Sequence, residues 1–243
     1  DDEANAKDVL RRAVDLGVDF VDTADSYGPG VSERLLRESG IVDDVVVATK
    51  AGLLRNADGD WLPHGDPDYI RNEVLVSRDR LGVDTIDLYQ YHRPDPDTPF
   101  EDTIQTFAEL KDEGFVSHVG LSNVDVDQLE RAREQVEIAT VQNQYNVANR
   151  ESEDVLAACE EYDIGFIPWF PLGAGDLDDR EDALAAIADD HDATPRQIAL
   201  AWLLRHSRVI LPIPGTSDPA HLAENVAATA IDLTDDEYAR LAE

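Results

Sequence analysis

Residues 20–28 read FVDTADSYG, residues 45–50 read VVVATK and residues 85–92 read TIDLYQYH. Each is a short apolar run that closes on, or just before, a different polar group: Asp22, then Lys50, then His92. Amphipathic patterns of helical period fill the intervals at 31–39 and 67–81. Near-continuous apolar strands separated by helices predict a parallel sheet buried on both faces. The alternation continues outward from this region. Further strands are expected at Ser117–Leu121, Ala139–Gln142, Gly165–Trp169 and Val209–Ile213. Helices are expected near 3–16, 99–113, 125–135, 151–162, 180–190, 194–206 and 218–228. Thr194-Pro195 places an N-cap before a proline in a first turn. Thr234-Asp235-Asp236-Glu237 reads as a capping box opening a last short helix.

Seven strands are countable, and the chain opens on a helix. Eight βα units close a barrel. The expectation is therefore a single (β/α)8 TIM-barrel domain over 1–243, with its first strand missing from the given chain. A doubly wound open sheet would want a G-x-G-x-x-G turn after a strand, and the sequence holds none.

The composition describes the setting. The chain has 53 acidic residues against 20 basic ones, a formal charge of −33, yet is 42% hydrophobic. That places it among globular proteins. The acids are spread through every segment, so they describe a surface and not a tail. Such a surface repels itself in dilute buffer, and at ~1 M salt a Debye length of ~3 Å removes most of that repulsion. We read it as a halophilic, salt-adapted cytoplasmic protein; an acidic surface for basic partners or calcium is the alternative. Nucleic acid is disfavoured as a partner for want of a basic stripe. Cys159 is the one cysteine, so no disulfide forms within the chain and a reducing compartment is expected. A buried apolar role fits it better than a reactive one. No apolar stretch reaches the ~20 residues of a membrane span.

In a barrel the carboxyl ends of the strands converge on one face, where active sites are built. Those ends carry Asp22, Lys50, His92, Ser122-Asn123, Gln142-Asn143, Trp169 and Pro214-Gly215-Thr216, and Tyr27 lies five residues beyond Asp22. Only three lysines occur, Lys7, Lys50 and Lys111, so one at a strand end is chemically informative.

The stretches DTADSYG, VVVATK, YQYHRPD, GLSN, VQNQYN, PWFPLG and LPIPGTS, followed by HLAEN, together resemble the aldo-keto reductase family from the first helix to the last. The resemblance implies a (β/α)8 barrel that reduces aldehydes or ketones to alcohols with NADPH; NAD is the other cofactor to consider. Carried over, Tyr27 is the general acid, and Lys50 favours the phenolate left after proton transfer, a phenol otherwise titrating near ~10. Asp22 aims the ammonium, and His92 orients the substrate oxygen. Ser122, Asn123 and Gln142 match residues that hold the nicotinamide carboxamide, and Trp169 the aromatic on which the ring stacks. Leu172, Gly173 and Gly175 match backbone beside the pyrophosphate. Gly215, Thr216 and Ser217 precede a helix whose amino end suits a phosphate. Glu224 and Asn225 match residues that meet the adenine. His221 stands where NADP-binding members commonly place an arginine or lysine, and no Lys or Arg occurs between Val209 and Ala239. The segment from Gly173 to Arg180 is short for a loop enclosing the cofactor.

Other readings stay open at this level. The Asp–Lys pair could be structural, with Tyr27 a packing residue. His92 and Asp95 could begin a metal site. Trp169 could be a core tryptophan. Trp61 and Phe170 could line an apolar substrate pocket, or Trp61 could pack beneath its own loop. A nicotinamide-nucleotide-sensing regulatory subunit without turnover would carry much the same residues. The expected partner is a small carbonyl compound, with the protein a monomer or small homo-oligomer.

Overall fold

The computed structural model describes residues 2–173 and 180–242. The chain divides into two compact units, Asp1–Val141 and Gln142–Glu243. In chain order the first unit contains α1 (Glu3–Asp15), β1 (Phe20–Asp22), α2 (Val31–Ser39), β2 (Val46–Ala51), β3 (Leu53–Arg55), β4 (Trp61–Pro63), α3 (Pro67–Leu81), β5 (Ile86–Tyr91), α4 (Phe100–Asp112), β6 (Val116–Ser122) and α5 (Val126–Arg133). β7 (Ile138–Gln144) runs from the first unit into the second, which continues with α6 (Glu153–Tyr162), β8 (Gly165–Trp169), α7 (Glu181–Asp190), α8 (Pro195–His206), α9 (Pro219–Ala227) and α10 (Asp235–Ala242).

In the first unit β1, β2, β5 and β6 pair in that order, every pair parallel. Val47, Ala48, Leu88, Val119 and Leu121 are buried along these strands, and Ile70, Val74, Ile104 and Phe107 are buried on the helices. This is the continuous apolar reading of a sheet covered by helices. α1 packs on α2, α2 on α3, α3 on α4 and α4 on α5. The register sets Lys50 opposite Gln90 and Gln90 opposite Gly120. A Cβ on Gly120 would lie 2.4 Å from Thr140 Oγ1 and 2.9 Å from Gln90 Cγ. Glycine is needed there so that the Gln90 side chain can cross the layer.

In the second unit the core forms around Trp202, with Tyr145 stacked on its ring at 6.2 Å, His206 at 4.5 Å and Tyr238 at 6.0 Å. The Arg150 guanidinium lies 4.6 Å from the same ring. Cys159 is fully buried, and burial foremost pushes its thiol up to about 12.

The expected helices, and six of the seven expected strands, lie within two residues of where the sequence puts them. Both caps form: Thr194 and Gln197 cap α8 reciprocally, and Thr234 and Glu237 exchange the bonds of a capping box at α10.

Two readings need correction. Val209–Ile213 is not a strand; it makes a single parallel bridge between Ile210 and Phe166. The bridge is held by Phe166 N–H on the Val209 carbonyl and Leu211 N–H on the Phe166 carbonyl; the next donor in that ladder would be residue 168, and Pro168 has no N–H. Conversely, residues 53–63 form an antiparallel hairpin, β3 with β4, where the sequence reading had a loop. Asn56 builds its turn, accepting from the backbone N–H groups of Asp58 and Asp60 at 3.0 and 2.9 Å. Among the described residues no helix is long and apolar enough to cross a membrane.

Candidate active site

Lys50 sits on β2 with its side chain fully buried. Its Nζ donates to Asp22 Oδ2 at 2.5 Å and to the Thr23 carbonyl at 2.7 Å. The Asp22 side chain is 5% exposed. Two such groups this far out of water depend on one another, since removing either leaves its partner buried without a counterpart. Gln90 donates its amide to Asp22 Oδ1 at 3.1 Å and accepts from Thr140 at 3.2 Å. The run Lys50–Asp22–Gln90–Thr140 therefore links side chains of β1, β2, β5 and β7, reaching past Gly120 on β6, and fixes the carboxylate from both sides. Gln90 and Thr140 went unread in the sequence. A glutamine in the middle of LYQY was the available signal, because a buried amide needs partners.

The Lys50 ammonium lies 5.2 Å from the centre of the Tyr27 ring. The turn carrying Tyr27 is tightly held. Asp25 N–H donates to the Lys50 carbonyl, Gly30 N–H to the Asp25 carbonyl, and Thr23 Oγ1 to Ser32 Oγ. Gly28 and Gly30 take φ of 61° and 73°, left-handed values that side-chain-bearing residues rarely adopt. Beneath the turn, Tyr69 donates to Asp25 Oδ2 at 2.8 Å. Thr49 donates to the fully buried Glu33, and Arg80 bridges Glu33 and Glu73 at 3.1 and 2.7 Å. Burial, followed by the negative charges of Glu73 and Glu33, pushes the Asp25 carboxyl up to about 7 against the Tyr69 hydrogen bond.

His92 follows β5, and its ring centre is 5.9 Å from that of Tyr27, nearly perpendicular to it. Burial pushes the imidazole down to about 2, helped by the positive charges of Lys50 and Arg93. The ring is therefore neutral near pH 7, with one nitrogen donating and the other accepting. Its Nδ1 is buried without a hydrogen-bond partner. Asn123 holds the neighbouring backbone, donating to the His92 carbonyl at 3.0 Å and to Ser122 Oγ at 2.9 Å from a left-handed φ of 59°. Asp95 spends its carboxylate on Gly65 N–H, Asp97 N–H and the Thr98 hydroxyl. It acts as a loop clamp.

The β3–β4 hairpin brings Trp61 to the same place. Its ring meets Tyr27 edge-on at 6.5 Å, and the Arg55 guanidinium lies 4.5 Å from the indole. Trp61 remains 42% exposed.

The second unit carries the other expected positions. Gln142 is buried at β7. Trp169 ends β8, and Phe170 beside it is half exposed with φ 52° and its ring 4.9 Å from the indole. Asn146 secures this corner by donating to the Phe170 carbonyl at 3.0 Å. Leu172 and Gly173 follow in a turn closed by Gly173 N–H on the Phe170 carbonyl, with Gly173 at φ 61°. Gly175 and the rest of 174–179 lie outside the described residues. A Cβ on Gly215 would meet nothing within 4 Å, so its backbone is open to approach. Thr216 Oγ1 accepts from Asp218 N–H at 3.0 Å, and Asp218 caps α9 through Ala220 N–H. Ser217 is exposed beside them. His221, Glu224 and Asn225 fall at helical spacing on one side of α9. The buried Gln142 amide, the aromatic corner at Trp169 and the open backbone at Gly215 all lie within this unit. Asp218 at the α9 terminus adds a negative charge beside the expected phosphate position.

The whole chain, residues 1–243, matches the model of the aldo/keto reductase family. An uncharacterised oxidoreductase of Schizosaccharomyces pombe is 47% identical over 235 residues, covering 96% of this chain and 77% of the relative. The pyridoxine 4-dehydrogenase of Escherichia coli is 39% identical over 237 residues, covering 94% of this chain and 82% of the relative. An aldo-keto reductase from Klebsiella pneumoniae, crystallised with NADPH, superposes with a TM-score of 0.84 at 27% identity, covering 98% of this chain and 84% of that one. With an Asp–Lys–Tyr–His constellation on its strand ends and the family's pattern along its full length, this chain is a member of the aldo/keto reductase family.

Proposed function

We propose that the enzyme reduces aldehydes or ketones to alcohols with NADPH, Tyr27 giving the proton. The observation that carries this is the buried Lys50–Asp22 pair set against the Tyr27 ring. When bound, the reduced nicotinamide supplies a hydride to the carbonyl carbon. Tyr27 donates its hydroxyl proton to the carbonyl oxygen, and the Lys50 ammonium stabilises the phenolate that remains. Asp22, braced by Gln90, keeps that ammonium in place. Neutral His92 donates its ring N–H to the same oxygen and fixes its direction. Ser122, Asn123 and Gln142 would hold the carboxamide, Trp169 the ring, and Gly215 to Ser217 with His221, Glu224 and Asn225 the adenosine end. The NADPH in the Klebsiella relative supports NADP(H) as the cofactor. The 39% identity to a pyridoxine 4-dehydrogenase puts pyridoxal on the substrate panel.

Two wider readings go with this one. The single (β/α)8-barrel domain is supported by the TM-score of 0.84 to a family structure. Salt adaptation is supported by the charge of −33, and on it the unfolding temperature rises between 0.1 and 2 M KCl. For the reaction itself, absorbance at 340 nm is followed with NADPH and benzaldehyde. Turnover that disappears in Tyr27→Phe supports the assignment; equal rates for the two proteins refute it.

A further inference from the structure

Arg55 and Arg93 each adjoin a residue whose ring meets Tyr27, and neither has a carboxylate partner among the described residues. Arg55 reaches over Trp61, which packs edge-to-face with Tyr27; Arg93 follows His92, whose ring also meets Tyr27. Arg93 makes one long contact, to Asn123 Oδ1 at 3.5 Å. Among the described residues neither forms a salt bridge, although the chain carries 53 acids against 20 bases. Elsewhere in the first unit that excess is visible in the pairing. Arg71 holds two glutamates, Arg80 two and Arg131 an aspartate and a glutamate. Arg12, Arg34, Arg37 and Arg78 also form no salt bridge among the described residues, so what sets Arg55 and Arg93 apart is their place next to Trp61 and His92, the two rings that meet Tyr27.

A guanidinium offers a planar fork of N–H donors that matches carboxylate or phosphate oxygens, and stacking on an indole holds that plane without using its edge donors. The β3–β4 register fixes the stack by setting Arg55 directly opposite Trp61. Gly65, just past β4, moors the hairpin. Its N–H donates to Asp95, its carbonyl accepts from Thr103, and a Cβ there would lie 2.4 Å from the Tyr91 hydroxyl oxygen. Arg55 is thus held at a defined place, one indole away from Tyr27.

We propose that Arg55 and Arg93 form an oxyanion-recognising rim, so that the enzyme favours carbonyl substrates bearing a carboxylate or phosphate about a ring's length from the reacting carbon. This rests on the carbonyl-reductase reading above. The rest of the surface is negative and repels such substrates at low ionic strength. At ~1 M KCl the Debye length of ~3 Å screens the distant acids while contacts at hydrogen-bond range persist.

The test is run in 1 M KCl with NADPH on two matched pairs: 4-carboxybenzaldehyde with benzaldehyde, and glyceraldehyde 3-phosphate with glyceraldehyde. The readout is the ratio of kcat/KM, charged over neutral. Arg55→Gln and Arg93→Gln should each lower that ratio by about 1.5- to fivefold, the range of one exposed ion pair. Arg55→Lys should recover part of the loss, which a purely structural brace on Trp61 would not require. Arg131→Gln removes a positive charge already held by Glu101 and Asp127 and should leave the ratio alone. A drop confined to one pair identifies carboxylate or phosphate as the preferred group. In parallel, quenching of tryptophan fluorescence by terephthalate, without cofactor, should weaken in Arg55→Gln. An unchanged ratio in both glutamine variants, with unchanged terephthalate binding, overturns the proposal even if benzaldehyde is reduced normally. Failure to reduce any aldehyde would instead strike the catalytic reading, leaving the terephthalate titration to decide the rim.

Discussion

Replacing Asp22 by Asn removes one charge from a pair whose side chains are 0% and 5% exposed and whose Nζ and Oδ2 are 2.5 Å apart. The Lys50 ammonium is then left buried with the Thr23 carbonyl and neutral dipoles. Breaking a buried pair from one side costs about 3–5 kcal/mol, because the surviving charge has no counterion and no water. For a chain of this length each kcal/mol moves the unfolding temperature by about 2–4 °C, so a drop on the order of 10 °C is expected. Lys50→Met should cost a similar amount, leaving the Asp22 carboxylate without its ammonium. The double variant Asp22→Asn/Lys50→Met leaves no uncompensated charge. It should recover about 2–3 kcal/mol relative to the sum of the singles. Thermal unfolding by circular dichroism supplies the four values. Activity should not add either: each single change disables the same unit, so the double loses little more than one single. Single changes costing under about 1 kcal/mol each and adding without interaction would refute the view that this pair is a dry, mutually dependent unit.

Three further outcomes follow from the same geometry. Asp25 binds its proton more tightly folded, where it titrates at about 7, than unfolded, where an aspartate titrates near ~4. Its contribution is thus fully favourable below about 4 and is lost as pH rises to about 7. Asp25→Asn, which cannot ionise, should be more stable than the parent at pH 8 by about 2–4 kcal/mol and lose that advantage at pH 4; urea unfolding at the two values decides. Next, His92 is held neutral, so its imidazole nitrogens should show no protonation in 15N NMR between pH 8 and pH 5. A midpoint near 6.5 would contradict the burial and charge assigned to it. Finally, Gln90→Leu should lower kcat while leaving KM for NADPH nearly unchanged, since it frees the Asp22 carboxylate without touching the cofactor positions. A loss confined to KM would place Gln90 in binding instead.

The strand ends were legible because burial leaves a clear trace: an apolar run that stops on Asp22 or Lys50 has few bland explanations. Helix bounds were legible from caps, as at Thr194 and Thr234, where the side chains themselves start the helix. The β3–β4 hairpin was not, since arms of three residues carry too little alternation to rise above loop composition. Its signal lay in Asn56 and Gly59 alone. Val209–Ile213 misled in the other direction, because an apolar run looks like a strand by itself, while the donor it lacks is on its neighbour, at Pro168. Gln90, Thr140 and Arg55 share a different difficulty. Their roles reside in partners distant in sequence, and only the register of β2, β5 and β6, or of β3 with β4, brings those partners together.

The measurement that tests the central claim most directly is the rate of NADPH oxidation at 340 nm with benzaldehyde, parent against Tyr27→Phe, with NADPH binding followed separately by tryptophan fluorescence. If Tyr27 gives the proton, the variant should bind NADPH as the parent does and lose at least about 100-fold in kcat, the usual contribution of a positioned general acid. Equal turnover in the two proteins would remove Tyr27 from the chemistry and the account with it.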